Sequence, residues 1–410
     1  MTVLQVGDGG PGRLAARLHR RLRRGRAVRR GVSPSTVQEA LLELARKGPA
    51  RLEQGSPAGG SSLRLAAIIP SFRRGSGGHA TIVHLLEGLR ARGHEVSVWL
   101  EDCEGRHTDE QPELTTRSFR EFFGAEGLVL QTDFADWGGA DLVVATGWQT
   151  VPRALLLEGL SGRAYLVQDH EPEFYGTSAE SLWAAWTYRQ GLHCIAASPW
   201  LAGLLGQRYA ASATHFDLGV DHGVYRADPS GGDERSGESV AFYARALTPR
   251  RAVPLGLLAL EELKRRRADV EIVLFGEDRP LDVPFAHRNL GVLDEADLSS
   301  LYRRASLGMV LSLTNPSLIG LQMMACRLAC VELASEPMVS TFGRQSPLIL
   351  AEPDPLALAD ALEEQLVNPA QREAIGEAGQ ALVAARTWEA AVDQVEQGLQ
   401  AALGDARSVN

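Results

Sequence analysis

The sequence lacks the marks of several large classes of protein. No apolar run approaches the ~18 residues that a membrane-spanning helix needs. The N-terminus has no apolar core of the kind that directs secretion. Only four cysteines are present, Cys103, Cys194, Cys326 and Cys330, and none sits in a paired metal-ligand spacing with a second Cys pair or a histidine. Three of them lie in apolar runs, which predicts buried thiols in a reducing compartment and a cytoplasmic chain. No Asp-x-Asp occurs, so nothing marks a metal-dependent nucleotide-sugar site, and no metal site is expected. The dinucleotide fingerprint G-x-G-x-x-G is missing too: Gly75, Gly77 and Gly78 are followed by Ala80 where the last glycine would stand. That spacing, with no catalytic dyad in view, disfavours a nicotinamide-dependent oxidoreductase.

What is present is ordinary for a globular chain of 410 residues, 44% apolar and 23% charged, long enough for two domains and an appendage. The charge is unevenly placed. Residues 1–62 hold 12 Lys/Arg against 4 Asp/Glu, and a net charge of −9 for the chain leaves −17 on the rest. A nucleic-acid-binding protein puts its positive charge on the folded body, so nucleic acid is not an expected partner. Residues 13–30 contain nine Arg, with Leu14, Leu18 and Leu22 one helical turn apart. This predicts a basic helix with one narrow apolar stripe, either a contact for an anionic membrane surface or an appendage that packs on the body or stays mobile. A second helix is predicted to start at Ser33, with Pro34 in its first turn, and "QGSPAGGSS" (54–62) reads as a linker.

From residue 63 short apolar runs alternate with helical stretches. "LRLAAIIP" (63–70), "EVSVWL" (95–100), "GLVLQ" (127–131), "DLVVAT" (141–146), "AYLVQ" (164–168) and "HCIAAS" (193–198) read as strands buried on both faces. After the polar, glycine-rich 228–238 the alternation restarts. Strands are expected at 239–244, 270–276, 289–293, 307–312 and 329–333, and three helical stretches close the chain. The fold class is therefore α/β, two doubly wound domains in tandem, whose strand C-terminal ends open onto a shared cleft.

Four motifs fall just after strands, on the cleft side. "PSFRRGSGGHA" (70–80) opens a helix with glycines that let backbone N–H groups approach an anion. "YARALTPRR" (243–251) supplies Arg245, Arg250 and Arg251, whose guanidinium forks suit a pyrophosphate. "YLVQDHEPEFYG" (165–176) gathers Asp169, His170, Glu171 and Glu173, able to accept hydrogen bonds from a sugar or an acceptor hydroxyl. Trp183 and Trp186 share a helix face downstream, to stack on a sugar ring or to fill the core. "TNPSLIGLQMMACRLACVEL" (314–333) is strand, turn, helix, strand, the layout of a helix N-terminus that holds an anion. Ser317 and Leu318 open that helix, and Gln322 stands where an acid would be expected: a neutral amide that can hold a hydroxyl but supplies no negative charge.

This layout resembles the family 4 retaining glycosyltransferases of GT-B fold. The resemblance rests on "GGH", "YAR" with "PRR", "NLGVLDEADLSSLYRRASLGMVLSL", "NPSLIGLQMMAC" and "TWEAAVDQVEQGL". "VQDHEPEFY", "TYRQGLHCIAASPWLAGLL" and "GVDHGVY" resemble the WsaF-type rhamnosyltransferases more closely. It covers about 63–403. Composition sets apart a basic helical extension and linker (1–62), and the resemblance implies an acceptor domain (63–232), a nucleotide-sugar donor domain (233–386) and a terminal helix (387–410) with the option of crossing back to the first domain. It implies no cofactor beyond a nucleotide-sugar co-substrate, dTDP-linked rhamnose by analogy, and transfer with retention onto a glycan or a lipid-linked glycan. By the resemblance Arg245, Arg250, Asp169 and Gln322 are the catalytic set. Gly77, Gly78, Arg251, Gly291, Leu293, Ser317 and Leu318 meet the donor, and His170, Glu171 and Tyr175 meet the acceptor. The chain departs from the family pattern at its acid pair, replaced by Thr314 and Gln322, and at Arg327, where glycine is usual. These departures motivate a second reading, a non-catalytic GT-B protein that binds a nucleotide or glycan within an assembly complex. The implied place is the cytoplasm, with a peripheral position on the inner membrane face open to it through the basic segment.

Overall fold

The computed structural model describes residues 35–53, 62–227, 235 and 237–408. The arginine-rich stretch 13–30 and nearly all of the two glycine-rich linkers lie outside these residues. Two all-parallel sheets organise the chain. The first contains β1 (Arg64–Pro70), β2 (Glu95–Glu101), β3 (Val129–Gln131), β4 (Leu142–Ala145), β5 (Gly162–Val167), β6 (His193–Ala196) and β7 (Ala213–His215), in the order β3-β2-β1-β4-β5-β6-β7. The second contains β8 (Ser239–Tyr243), β9 (Glu271–Phe275), β10 (Arg288–Asn289), β11 (Leu307–Met309), β12 (Cys330–Leu333) and β13 (Ile349–Ala351), in the order β10-β9-β8-β11-β12-β13. The order reverses beside β1 in one sheet and beside β8 in the other. Loops there diverge and leave a crevice at the strand C-terminal ends. The central strands are buried on both faces, as Leu65 to Ile69 of β1 illustrate, because helices cover each side.

In the first domain these helices are α1 (Thr36–Lys47), α2 (Gly77–Ala91), α3 (Pro112–Phe123), α4 (Val151–Leu156), α5 (Ala179–Thr187) and α6 (Pro199–Tyr209). In the second they are α7 (Val253–Arg266), α8 (Glu295–Arg304), α9 (Leu318–Ala325), α10 (Glu336–Phe342), α11 (Pro355–Val367) and α12 (Pro369–Val383), and α13 (Trp388–Ser408) follows. α13 packs on α2 and on β5 to β7 of the first sheet. Val392, Val395, Leu399 and Leu403 are its buried stripe, and Gly88 of α2 makes room for Val392. Four such side chains stabilise the contact by about 1.5–3 kcal/mol each.

Two local expectations need correcting. The cap of α1 is Ser35 rather than Ser33: Ser35 Oγ accepts from Gln38 N at 3.3 Å, and Ser35 N donates to the Gln38 side chain at 3.1 Å. A glutamine three residues on completes this box, a signal the nearby Pro34 outweighed. The segment after α1 is tied to the first domain, as Ala50 N donates to Leu155 O (2.8 Å) and Glu53 N to Leu160 O (2.7 Å). The strand expected at 289–293 pairs only over Arg288–Asn289, since Gly291 turns the chain out of the sheet at φ +67°. The edge strands β7 and β13 escaped the sequence reading because three half-exposed residues carry little periodic signal.

Candidate functional site

The loops after β1, β5, β8 and β11 meet at the crevice. After β1, Gly75 has φ +72°, and a Cβ there would lie 2.9 Å from Val292 and 3.4 Å from the Arg245 guanidinium. The glycine loop of the first domain therefore touches the second. Gly77 and Gly78 open α2; nothing stands within 4 Å of a Cβ at Gly77, and Gly78 O accepts from Gln168 Nε2 at 3.1 Å. Behind them His79 is buried between Ser76 Oγ (2.8 Å) and Pro70 O (3.3 Å). Burial holds its imidazole well below the usual range, at about 4, so it stays neutral and fixes the loop.

The three arginines after β8 part company. Arg245 is half-buried, and among the described residues its guanidinium has no ion pair or hydrogen-bond partner. It faces the glycine loop. Arg250 lies 4.2 Å over the Phe174 ring and pairs with Asp169 at 2.7 Å (Nε to Oδ2), across the two domains. Arg251, expected at the donor, is buried instead and donates to Ser312 Oγ at 2.6 Å. Ser312 N and Leu333 N both donate to Glu332, a buried carboxyl that desolvation pushes up to about 7. Arg251 thus serves the interior of the second domain, because the short helical turn 249–251 points successive side chains in different directions.

Asp169 is the junction. Its Oδ1 accepts from His170 N (2.9 Å) and from Asn315 N (3.0 Å) while Oδ2 holds Arg250. Three of its roughly four acceptor positions are taken, which suits a positioning carboxylate better than a free base. The acceptor residues read from the sequence are mostly turned inward. His170 is fully buried, with Nε2 2.7 Å from Tyr209 Oη. Glu171 is buried and accepts from Trp148 N at 2.6 Å. Tyr175 is half-buried, its hydroxyl accepting from Trp148 Nε1 at 3.0 Å. Proline at 172 closes a tight helical turn over 171–174, and this rotates His170 and Glu171 into the domain. Trp183 packs against Trp148 with ring centres 6.2 Å apart, away from the crevice.

Burial pushes the Glu171 carboxyl up to about 7, against the pull of the Trp148 N–H and the Tyr165 hydroxyl. A carboxyl raised in the folded state stabilises it below the unfolded value near 4.5, and that advantage is lost as pH rises through 7. Glu171→Gln keeps the acceptor for Trp148 and cannot ionise. The stability of Glu171→Gln minus that of the wild type should therefore rise between pH 5 and 7 by as much as about 1.4 kcal/mol per pH unit, then level off. Urea unfolding of both proteins at pH 5, 6, 7 and 8 reads this. A difference independent of pH would mean that Glu171 is already charged. The comparison cancels His79, whose depressed pKa acts in the opposite sense.

On the donor side, α9 begins after Ser317, whose Oγ accepts from Ile319 N at 3.3 Å, with Leu318 half-buried at the first position. Gln322 and Thr314 are both buried, and among the described residues Gln322 Oε1 and Thr314 Oγ1 have no hydrogen-bond partner. These two oxygens, at the positions where relatives are expected to carry acids, are sealed from solvent. Gly291 and the half-buried Leu293 flank Val292, whose N–H donates to Asp278 Oδ1 at 2.9 Å, and Asp278 also blocks any Cβ at Gly291. Arg327 has φ +57°, the left-handed backbone that explains why glycine is at home there, and it ion-pairs with Glu377.

The residue that sequence reasoning passed over is Asn315. Its Nδ2 donates to Gln168 O and Ala197 O, both at 3.0 Å, and its Oδ1 accepts from Ser198 Oγ at 2.6 Å. Every polar atom of this buried side chain is used, and all its partners lie in the other domain. Asn-Pro after a strand signals a turn; nothing in it announced a reach across the crevice.

Comparison with known proteins follows this geometry. Residues 238–363 match the family model described as the C-terminal domain of WsaF. Over 276 residues, 65% of this chain, the sequence is 32% identical to the O-antigen biosynthesis protein RfbC of Myxococcus xanthus, of which the match covers 21%. The matched part is thus about a fifth of that relative's length. Among solved structures, sucrose-phosphate synthase from Thermosynechococcus elongatus superposes with a TM-score of 0.61 at 18% identity, covering 81% of this chain and 97% of that one. Anabaena Alr3699/HepE in complex with UDP-glucose gives 0.61 at 14% identity, covering 83% and 99%. At such identities these structures speak for the fold.

Proposed function

The chain is WsaF-like in its second domain and GT-B in fold, and from that premise we propose that it is a glycosyltransferase of O-antigen or related polysaccharide assembly, using a nucleotide-sugar donor. The observation that carries this reading is Arg245: a half-buried guanidinium that has no partner among the described residues and faces a glycine loop where the C-terminal ends of both sheets meet. Such a cation is placed for a diphosphate. HepE, of the same fold, is described as a complex with UDP-glucose, which supports a donor of this chemical class.

In this reading the donor diphosphate lies between Arg245 and the N-terminus of α9, whose dipole favours an anion. As the bond from the sugar to the diphosphate lengthens, negative charge grows on the leaving oxygen. Arg245 and the helix end, fixed before the reaction, stabilise it. Arg250 is held by Asp169 and Phe174 at the edge of the same loop, and its charge is largely offset by the Asp169 carboxylate. The sugar, left with oxocarbenium character, is attacked by an acceptor hydroxyl from the face the diphosphate leaves, so that configuration is retained. The positive charge needed comes from arginine and backbone, without a metal ion. Ser317 and Leu318 meet the donor at the head of α9, Gln322 and Thr314 reach its hydroxyls only once the packing that seals them opens, and Gly291 and Leu293 border the base. Rhamnose from dTDP-rhamnose is the donor we favour, and a glycan or lipid-linked glycan the acceptor, met at the cytoplasmic membrane face.

A second reading is specifically favoured by the loss of both acids: binding without turnover. One experiment separates the two. The protein is melted with UDP, dTDP, UDP-glucose and dTDP-rhamnose, and release of nucleoside diphosphate from the two sugars is followed. A ligand at about 100 times its dissociation constant adds about 2.7 kcal/mol of stability. Stabilisation with release supports the transferase. Stabilisation without release, and release gained by Gln322→Glu, supports the binding protein. No stabilisation by any of the four would end both readings.

A further inference from the structure

One acid lies where the fold asks for none. β12 is an inner strand of the second sheet, between β11 and β13, and its other residues, Cys330, Val331 and Leu333, are apolar and buried. Glu332 among them is 2% exposed. A carboxylate in such a place is desolvated, and an apolar side chain of similar size would pack there at lower cost. No step of the proposed transfer uses it.

The partners of Glu332 point to its task. Its Oε1 accepts from Leu333 N at 2.8 Å on its own strand and from Ser312 N at 2.7 Å in the loop after β11. The Ser312 hydroxyl accepts from Arg251 at 2.6 Å and, together with the Arg251 charge, favours the ionised form of Glu332. Arg251 and Glu332 therefore meet through Ser312. Two more bonds fasten the same place. Leu313 N donates to Arg250 O at 3.0 Å, and Ser335 Oγ donates to Ser312 O at 3.2 Å. The loops after β8 and β11 are thus one unit, held from beneath by a carboxylate.

That unit carries two polar groups by which the second domain grips the first. Arg250 reaches Asp169, and Asn315, three residues beyond Ser312, reaches Gln168, Ala197 and Ser198. Two adjacent arginines face two carboxylates, one in each domain, and Asp169 is close enough to attract Arg251 as well. Glu332 answers Arg251 inside the second domain, which leaves Asp169 to Arg250.

We propose that Glu332 is a positioning residue for the crevice: through Ser312 and Arg251 it sets the loops after β8 and β11 so that Arg250 and Asn315 close onto the first domain. It acts on no reacting atom. That the closed crevice holds a nucleoside diphosphate rests on the glycosyltransferase reading; the coupling of the two domains does not.

The test is a double-mutant cycle of Glu332→Gln and Asn315→Ala in the full chain. The amide of Glu332→Gln still accepts from Ser312 N and Leu333 N but has no charge to answer Arg251. Titration calorimetry with UDP and with dTDP should give dissociation constants about tenfold higher in either single variant. The double variant should be hardly weaker than Asn315→Ala, because both changes loosen the same contact. A residue with only a structural role would lower stability and leave the constants alone. Ser312→Ala removes the hydroxyl between the two charges and keeps the backbone bonds, and it replaces Glu332→Gln in the cycle if that variant does not fold. Unchanged constants in the single variant, or effects that multiply in the double one, would overturn the proposal. If the wild type binds neither UDP nor dTDP, the donor reading fails and urea unfolding decides the positioning instead. The variant should then separate the transitions of the two domains as Asn315→Ala does, and coincident curves with the wild-type midpoint would overturn it.

Discussion

Arg245→Ala is expected to lower the rate of sugar transfer by about two to three orders of magnitude, the loss seen when one preorganised donor to a developing oxyanion is removed. The fold should survive, because Arg245 makes no side-chain hydrogen bond or ion pair among the described residues. Arg245→Lys should recover part of the loss, since a lysine keeps the charge but not the planar fork. The measurement is nucleoside-diphosphate release with the donor that the melting screen selects, with urea unfolding as the control for stability. An unchanged rate with an unchanged fold would remove Arg245 from the site, and with it the strongest support for a diphosphate in the crevice. Arg250 makes a useful contrast. It already has Asp169 as a partner, so Arg250→Ala leaves a buried carboxylate uncompensated, and its effect mixes stability with rate.

Asn315→Ala should destabilise the protein by about 3 kcal/mol, the upper end of the cost of leaving a buried polar group unsatisfied. Three partners in the first domain lose their bond at once: Gln168 O, Ala197 O and Ser198 Oγ. The backbone bond from residue 315 to Asp169 remains, which limits the damage. More telling than the size is the form. Asn315 belongs to the second domain and all of these partners to the first, so removing it weakens the coupling between domains more than either domain. Urea unfolding followed by tryptophan fluorescence, whose signal comes mostly from the first domain, and by circular dichroism should then separate into two transitions. Coincident curves with an unshifted midpoint would mean that α13 and the packing of α10 on α6 hold the domains together unaided.

Much of this molecule is written in local sequence. Runs such as "LAAIIP" and "VAFYA" leave no polar position for a solvated face, so they must be central strands of a covered sheet. Repeated twice with helices between, they dictate two parallel α/β domains. Glycines after the first strand and arginines after the eighth could be placed at the crevice for the same reason: in such a sheet the loops at the strand C-termini are where ligands bind. Segments of both domains carried the resemblance to the WsaF-type glycosyltransferases.

The sequence did not say which way each side chain turns, and there the tertiary structure decided. Arg250 and Arg251 are adjacent and chemically identical, yet one reaches Asp169 across the crevice and the other is sealed against Ser312. His170 and Glu171 looked like polar residues of a binding loop, until Pro172 and the tight turn rotated them onto Tyr209 and Trp148. Asn315 read as punctuation and proved to join the domains. Local pattern fixes which residues are buried in an element, because periodicity and solvent act over a few positions. The partners of a polar side chain are set by groups that are distant along the chain, and only packing brings them within hydrogen-bond reach.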